Sequence, residues 1–330
     1  MRFAVRVLIG AVVVIGIAAG AALWGLNLVN RAGPLNTDSA VVIPRGSGLE
    51  AISLALSDAD VIDRPLLFVA MAKVTGANRG LKAGEYAFPA HVSIAEALRI
   101  LQSGKTVVRR FTVPEGLTSS QIVTLLREEP ALSGEIKDEP AEGSLLPETY
   151  HYSWGDSRTD LLKRMQAAMQ TAIKTAWDKR SLSLPIDNQK QAMVLASIVE
   201  KETSVPQERA RVAGVFINRL IANMRLQSDP TVVYALTQGT GSLGRPLNRA
   251  DWKYESPYNT YLVDGLPPAP IANPGKASIE AVMNPEQHDF VYFVADGSGG
   301  HAFARTLAEH NRNVAHWRDV MKQQGEAVGE

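Results

Sequence analysis

The sequence contains no cysteine and carries no net charge, since 34 lysines and arginines balance 34 aspartates and glutamates. Without cysteine, disulfide bonds and thiolate catalysis are excluded, but a cysteine-free chain fits either a reducing or an oxidising compartment. Without a basic excess there is no electrostatic field to hold a polyanion, so we expect no nucleic-acid partner. The composition is otherwise that of a globular chain, with 45% hydrophobic and 21% charged residues.

Common metal and nucleophile motifs are also missing. There is no His-Glu-x-x-His motif, and His310 and His316 are six residues apart, so they do not share a helix face. There is no Gly-x-Ser-x-Gly elbow, and the glycines at 239, 241 and 244 lack the Lys-Ser/Thr that completes a phosphate-binding loop. We therefore expect no metal and no cofactor, which leaves acid–base chemistry by carboxylates.

The longest uncharged run is at the N-terminus, from Val7 to Val29. As a helix it would be about 34 Å long at about 1.5 Å per residue, enough to cross a bilayer core of about 30 Å. Arg2 and Arg6 precede it and Arg31 follows it, which predicts a cytoplasmic N-terminus with the rest of the chain outside.

A cleaved signal peptide is the competing interpretation of this run. Ala19-Gly20-Ala21 has the small residues of a cleavage site. The apolar run, however, continues through Trp24 and Leu26, beyond the length of an ordinary signal sequence, and this favours an uncleaved transmembrane anchor.

The pattern beyond the anchor predicts an α+β protein in two parts. A strand, a Pro-x-Gly turn and a helix start occur at Val41–Leu49 and recur at Phe111–Leu117. The helical pattern fails at Pro130. The predicted organisation is a cytoplasmic start and transmembrane helix at 1–31, a linker at 32–40, a small α+β module at 41–126, a linker at 127–143, a larger mixed domain at 144–322 and a tail at 323–330.

The centre of the larger domain is a helix that ends in two glutamates. Seven of the eight residues from Ala192 to Val199 are apolar, so we expect this helix to be buried on every side. A carboxylate in its last turn meets desolvation and the negative end of the helix dipole, and both favour the protonated form that a general acid needs. Ser204 and Gln207 have the spacing of a capping box, which predicts a second helix from Val205-Pro206.

Only one of the two glutamates is expected to be catalytic. Glu200 and Glu202 lie about 200° apart on a helix, so one can face a cleft while the other faces away. Glu202 shares its face with Leu195 and Ile198, which favours it slightly. From spacing alone, both could equally be ordinary charges at a helix end.

Five segments of the larger domain stand out as motifs: Leu195–Thr203, Val215–Leu220, Met224–Thr231, Tyr258–Tyr261 and Gly265–Gly275. Together they resemble the endolytic murein transglycosylases of the YceG-like family. The resemblance runs in order from about Val41 to Trp317.

The resemblance implies a catalytic glutamate at the second position of Glu-Lys-Glu, which is Glu202. In such an enzyme one acid protonates the β-1,4 glycosidic oxygen between N-acetylmuramic acid and N-acetylglucosamine, then takes a proton from the muramyl 6-hydroxyl, and a 1,6-anhydro ring closes. The polar residues of the matched segments become candidates for substrate binding. They are Gln227, Asp229, Tyr258, Asn259 and Asn273.

Alternatives remain open for several of these assignments. Asp229 and Asn273 could instead be helix caps. Residues 43–49 are similar to the start of a LysM module, which implies glycan binding, although the stretch from Gly48 to Gly116 is longer than a compact LysM and could be a docking domain only.

The resemblance implies a single-pass protein of the bacterial inner membrane with a periplasmic catalytic domain that cuts nascent peptidoglycan strands and limits their elongation. Cell-wall synthases are candidate partners. A non-enzymatic peptidoglycan-binding scaffold is the alternative function, and a hydrolytic muramidase is a third, distinguished from a transglycosylase by its product ends.

Overall fold

The computed structural model describes residues 2–323 and 325 and consists of helices with short strands. The helices within these residues are α1 (Arg2–Asn30), α2 (Leu49–Asp58), α3 (Pro65–Val74), α4 (Ile94–Ser103), α5 (Ser119–Glu128), α6 (Arg158–Asp178), α7 (Gln189–Glu202), α8 (Arg209–Ile221), α9 (Asp229–Thr237), α10 (Lys276–Met283) and α11 (Leu307–Gln323), with a 3₁₀ helix at Asp251–Lys253. The strands are β1 (Ser39–Ile43), β2 (Gly84–Phe88), β3 (Arg109–Thr112), β4 (Thr149–Tyr152), β5 (Tyr292–Ala295) and β6 (His301–Ala304). They form three two-stranded sheets, β1 with β2, β3 with β4 and β5 with β6.

The chain forms two compact units. The first contains Met1–Arg109 and His151–Asp156, and the second contains Arg110–Tyr150 and Ser157–Glu330. In the first unit, β1 and β2 pair antiparallel with Ser39 opposite Phe88. Helix α2 packs on β1 and α4 packs on β2, while α3 packs between these two helices, and their shared core includes the fully buried Leu56, Phe68 and Tyr86.

Helix α1 exposes a long apolar surface. Its stretch Leu8–Asn30 is long and apolar enough to cross a membrane, and none of the most apolar window is buried against the protein. Only its end joins the core of the first unit, through Val29. This arrangement fits a single-pass anchor, since lipid would cover the exposed surface.

The second unit is built around α7. All eight residues from Ala192 to Val199 are buried, as the sequence predicts. Helices α6, α8, α9 and α10 contact α7 from different directions and bury its whole circumference. The end of α7 is therefore held rigidly by a packed core.

Most predicted elements of secondary structure are confirmed. The sequence pattern predicts a helix at Pro65–Val74 and a strand at Gly84–Phe88, and both have these bounds in the structure. The spacing of Ser93 with Glu96 and of Thr118 with Gln121 predicts two helix starts. In the structure Ser93 caps α4 by accepting from the Glu96 N–H, and Thr118 and Gln121 form a capping box at the start of α5.

The predicted capping box at Ser204 and Gln207 is wrong. Helix α8 begins at Arg209 with Glu208 as its N-cap residue. Instead, the Thr203 hydroxyl accepts from the Val205 N–H at 3.0 Å and keeps this segment in a turn. Glu208 is held by His301, whose Nδ1 lies 2.7 Å from the Glu208 carboxylate. Contacts distant in sequence thus decide where the helix starts.

The two helix-cap alternatives for the candidate site residues are also wrong. Gly275 is the N-cap residue of α10, not Asn273, and Ser228 is the N-cap residue of α9, with Asp229 its first helical residue. Neither helix has a side-chain cap. Asp229 and Asn273 therefore have other roles.

Residues 127 and 128 form the end of α5, and residues 129–143 have no helix or strand but belong to the second unit. Glu142 accepts from the Ser119 N–H at 2.8 Å and from the Asn273 amide at 3.1 Å. These bonds explain why residues 110–126, predicted in the small module, group with the second unit. The boundaries of independently folding domains stay a prediction, and most of the predicted tail lies outside the described residues.

Candidate active site

Glu202 is the last residue of α7, where the buried helix reaches a partly open surface. Its Oε1 accepts a hydrogen bond from the Ser228 hydroxyl at 2.5 Å. Ser228 itself is buried, with 1% of its surface exposed. One carboxylate oxygen is thus fixed by a side chain from a distant segment.

Ser228 belongs to a buried hydroxyl network that links α9 to the loop before residue 261. The Thr260 hydroxyl accepts from the Ser228 N–H at 2.9 Å, and the Thr231 hydroxyl donates to the Ser228 carbonyl at 2.6 Å. The two threonine hydroxyls lie 2.9 Å apart. Because every member is buried and bonded, the network holds the Ser228 side chain in one orientation toward Glu202.

The backbone immediately before Ser228 takes an unusual conformation. Gln227 has φ 49°, in the left-handed region that non-glycine residues rarely adopt. Its N–H donates to the Thr260 carbonyl at 3.1 Å. This turn places Ser228 at the acid.

The surroundings of Glu202 raise its pKa to about 7. Burial is the largest cause, because desolvation disfavours the charged form. The Ser228 hydrogen bond opposes it, the negative charge of Asp229 adds to it, and the positive charge of Arg219 opposes it. A carboxyl group with a pKa near neutrality can both donate and accept a proton, as a general acid–base catalyst must.

Asp229 forms the second polar group beside Glu202. Its Oδ1 accepts from the Tyr261 hydroxyl at 2.7 Å and from the Trp252 indole at 3.0 Å. The two aromatic rings are 6.1 Å apart. The pKa of Tyr261 is raised by burial and then by its bond to Asp229, so the hydroxyl stays protonated as a donor.

Arg219 supplies a fixed positive charge near the acid. Its guanidinium donates to the carbonyls of Val291 at 2.6 Å and Leu226 at 2.7 Å, and it lies 5.4 Å from the Tyr292 ring centroid. Burial lowers the pKa of Arg219 from its ordinary value, but a guanidinium remains charged at neutral pH. This charge favours the carboxylate form of Glu202 once its proton has left.

Glu200 meets a separate set of partners. Its carboxylate accepts from the Gly275 N–H at 2.9 Å, and neighbouring Lys201 donates to the Gly116 carbonyl at 3.3 Å. Glu115 lies close by, and its pKa is raised by burial and by the charge of Glu200. Glu200 thus joins α7 to the start of α10, whereas Glu202 faces the Ser228 network.

A family model and several relatives match this chain. The YceG-like family model matches residues 41–316. This chain belongs to the YceG-like family.

The relatives of this YceG-like protein carry one name. An endolytic murein transglycosylase of Bacillus subtilis is 32% identical over 90% of this chain and 89% of that protein. One of the same name from Streptococcus pneumoniae is 31% identical over 83% of this chain but only 57% of that longer protein. The crystal structure of a YceG-like protein of Listeria monocytogenes is 32% identical, with a TM-score of 0.51, and covers 84% of this chain and 99% of that one. The resemblance noted from the sequence is confirmed.

The five predicted substrate-binding residues of this YceG-like protein fall into two groups. Gln227 and Asp229 flank Ser228 and are exposed beside Glu202. Tyr258 is half-buried against Tyr234, with ring centroids 4.9 Å apart.

The other two predicted residues are enclosed by protein. Asn259 is fully buried and donates to the carbonyls of Trp252 and Tyr254 at 3.0 and 2.8 Å. Asn273 is fully buried, and its Oδ1 accepts from the Leu145 N–H at 2.8 Å. In this conformation neither amide is open to a substrate, and both hold the walls of the site.

Sequence reasoning missed Ser228, Arg219 and Trp252. Ser228 and Arg219 lie inside the segments that carry the family resemblance, so the sequence did point to them. A serine before a helix and an arginine within one, however, have many ordinary structural roles. Trp252 is an aromatic residue in a polar, glycine-rich region, a weak signal for a ligand-facing wall. Among residues 2–323 and 325, no group of three or more His, Asp or Glu side chains could hold a metal ion.

Proposed function

We propose that this YceG-like protein is a membrane-anchored endolytic murein transglycosylase in which Glu202 is both the general acid and the general base. The observation that carries the proposal is the position of Glu202. Glu202 ends a buried helix, and one of its carboxylate oxygens accepts a hydrogen bond from Ser228. The pKa of Glu202 is about 7.

The reaction uses Glu202 twice. The protonated carboxyl first gives its proton to the β-1,4 glycosidic oxygen that links N-acetylmuramic acid to N-acetylglucosamine, and the bond from that oxygen to the muramyl anomeric carbon breaks. The carboxylate then takes the proton of the muramyl 6-hydroxyl, whose oxygen bonds to the anomeric carbon. The products are a 1,6-anhydromuramyl end and a free 4-hydroxyl, and Glu202 is again protonated.

The charges around Glu202 suit these two steps. Burial and Asp229 favour the protonated form that starts the cycle, while Ser228 and Arg219 stabilise the carboxylate that follows. Asp229 and Gln227 are exposed at the same place and can orient the sugar beside the reacting bond. The substrate's own acetamido oxygen can meet the positive charge at the anomeric carbon.

The other parts of the chain have roles in this proposal that follow from their properties. Helix α1 spans the bacterial inner membrane once, with Arg2 and Arg6 in the cytoplasm and the catalytic part in the periplasm. The unit containing Ile43 and Leu49 is a LysM-like module that binds the glycan strand. Cell-wall synthases are the proposed protein partners, and cleavage of nascent strands near them limits strand length.

The test of the activity is digestion of purified peptidoglycan by the detergent-solubilised full chain, with the new ends identified by mass spectrometry. We expect 1,6-anhydromuramyl ends, each lighter by one water than a reducing end, and no such ends with Glu202→Gln. Reducing ends from the wild-type chain would make it a hydrolase. No new ends at all would favour a peptidoglycan-binding scaffold.

The test of the anchor is N-terminal sequencing of the mature protein. We expect the chain to retain the segment from Val7 to Val29. A mature chain that starts near Ala22 would show that the segment is a cleaved signal peptide.

A further inference from the structure

A cavity of about 430 Å³ lies on the second unit apart from Glu202, beside the C-terminal half of α9. Three tyrosines line it, Tyr234, Tyr254 and Tyr258, and the side chains of Gln238 and Ser256 add polar groups. Tyr254 is 43% exposed, although large aromatic side chains are usually more buried. A concave surface that combines aromatic rings with a few polar groups is typical of a ligand site.

Two of the three rings, those of Tyr234 and Tyr258, are held in place by other side chains. The rings of Tyr234 and Tyr258 are 4.9 Å apart, and the Tyr234 hydroxyl lies 3.4 Å from the Glu142 carboxylate. Gln238, at the end of α9, has φ 50° and directs the chain around the rim. Because these groups are already ordered, a ligand would lose little free energy in ordering them.

One buried side chain connects this cavity to the surroundings of Glu202. The Asn259 amide donates to the carbonyls of both Trp252 and Tyr254. Trp252 contacts Asp229 at the start of α9, whereas Tyr254 lines the cavity near its end. From Asp229, residues 234 and 238 lie about 8 and 13 Å along the helix at about 1.5 Å per residue. Asn259 thus fixes the backbone beside Trp252, near the acid, relative to the backbone beside Tyr254, at the cavity.

We propose that this tyrosine cavity is a subsite for an uncharged N-acetylated sugar of the same glycan strand that Glu202 cuts. The apolar face of a sugar ring packs on a tyrosine ring, while its hydroxyl and acetamido groups hydrogen-bond to Gln238 and Ser256. This inference rests on the proposed function and adds to it a grip on the strand remote from the cleaved bond.

The charges around the cavity favour a sugar over the peptide stems of peptidoglycan. Its lining contains the carboxylate of Glu255 and no lysine or arginine. Peptide stems carry carboxylates, which this acidic surface would repel.

The experiment measures binding of chitohexaose, a soluble N-acetylglucosamine hexamer, to the full chain by isothermal titration calorimetry. Glu202→Gln is the reference, so that the probe is not cut. We expect Tyr254→Ala in this background to bind about fivefold to tenfold more weakly and Tyr254→Phe to bind like the reference, because the ring is retained. Leu307→Ala, which removes an exposed apolar side chain elsewhere, is the control.

A second variant and a second probe keep the test decisive. Gln238→Gly removes the polar side chain from the rim and suits the left-handed backbone, so it should fold and bind several-fold more weakly. Chitobiose, too short to occupy the cavity and the surroundings of Glu202 together, should bind the reference more weakly than chitohexaose does. Unchanged chitohexaose binding by both Tyr254→Ala and Gln238→Gly would overturn the subsite.

Cleavage assays separate this inference from the proposed function. In the catalytically intact chain, Tyr254→Ala should raise KM for peptide-free glycan strands about fivefold with little change in kcat. Equal KM values for Tyr254→Ala and wild type would reject the subsite while the transglycosylase stands. Loss of affinity only for peptide-bearing strands would assign the cavity to peptide stems instead.

Discussion

The two sides of the last turn of α7 differ in what their glutamates contact. Glu200 accepts from a backbone N–H at the start of α10, beside the carboxylate of Glu115, whereas Glu202 accepts from a buried serine hydroxyl beside Asp229 and Arg219. The two residues have the same chemistry and are two positions apart. The comparison teaches that the role of each glutamate depends more on the partners supplied by distant segments than on the helix itself. Glu200 connects two helices, whereas Glu202 has the surroundings of a general acid.

The sharpest way to break this comparison is to neutralise each glutamate in turn. Glu202→Gln should lower the rate of anhydro-end formation by about 10² to 10⁴ or more, because general acid–base assistance is worth that much and one residue serves both steps. Glutamine keeps the shape and can still accept from Ser228. The rate is measured by quantifying anhydro ends over time.

The control for this prediction is Glu200→Gln, which should retain activity within about threefold, because its side chain meets Gly275 and not the open site. An inactive Glu200→Gln together with a fully active Glu202→Gln would exchange the two roles.

A second test uses the effect of pH on stability. The folded-state pKa of Glu202, about 7, is raised from 4.5, so its protonated form is favoured in the folded chain. Its contribution to stability is fully present below about pH 4.5 and is lost as pH rises through about 7. As pH rises between these limits, the free energy of unfolding of Glu202→Gln should therefore increase relative to that of wild type by up to about 3 kcal/mol. Because the side chain is partly open to water, the measured increase should be smaller than this upper limit.

This gain is measured by denaturant unfolding of both full chains in detergent at several pH values. Glu200→Gln provides the comparison, measured over the same range. A stability difference between Glu202→Gln and wild type that does not vary with pH would mean that folding does not raise the pKa of Glu202.

A third test removes the hydroxyl that distinguishes the two sides. Ser228→Ala should lower kcat about tenfold, because a charge-assisted hydrogen bond that orients the acid is worth about 1.5 to 3 kcal/mol and part is regained from water. Since the Ser228 bond lowers the pKa of Glu202, its loss should move the alkaline limb of the pH–rate profile upward. Ser183→Ala, an exposed serine in a loop, should leave kcat and the profile unchanged.

The smallest predicted effect concerns Glu200. Glu200→Ala leaves the Gly275 N–H without its acceptor and should destabilise the chain by about 1 kcal/mol, whereas Glu200→Gln retains an acceptor and should cost less. Both are measured by urea unfolding with activity assayed in parallel. An activity loss that is much larger than the stability loss would bring Glu200 into the chemistry.

Local patterns predicted the elements of this fold well. The uniformly apolar run at 192–199 indicates a helix buried on all sides, and the Thr118 capping box forms because both of its bonds are local. The Ser204 capping box fails for the opposite reason. Glu208 is fixed by His301, which is far away in the sequence, and no local pattern reports such a contact.

Of the candidate site, the sequence predicted the glutamate at the end of α7 but not the side chains that distant segments bring to it. Glu202 follows from the buried helix together with the family resemblance. Ser228 reaches it only through the fold, across 26 positions of chain. Asn259 and Asn273 are of a residue type that often binds sugars. Both are buried, however, and their amides bond to other parts of the protein instead. Their burial depends on the packing of whole segments, which a local sequence pattern does not report.

The left-handed backbone at Gln227 shows where this protein gives up stability for precision. A non-glycine residue at φ 49° costs about 1 kcal/mol or more, and the surrounding hydrogen bonds must overcome that cost. A glycine would relax the strain but would loosen the backbone next to the acid and remove an exposed amide. Selection for thermal robustness alone would therefore be expected to change position 227 early, and such a change would trade catalytic geometry for a higher melting temperature.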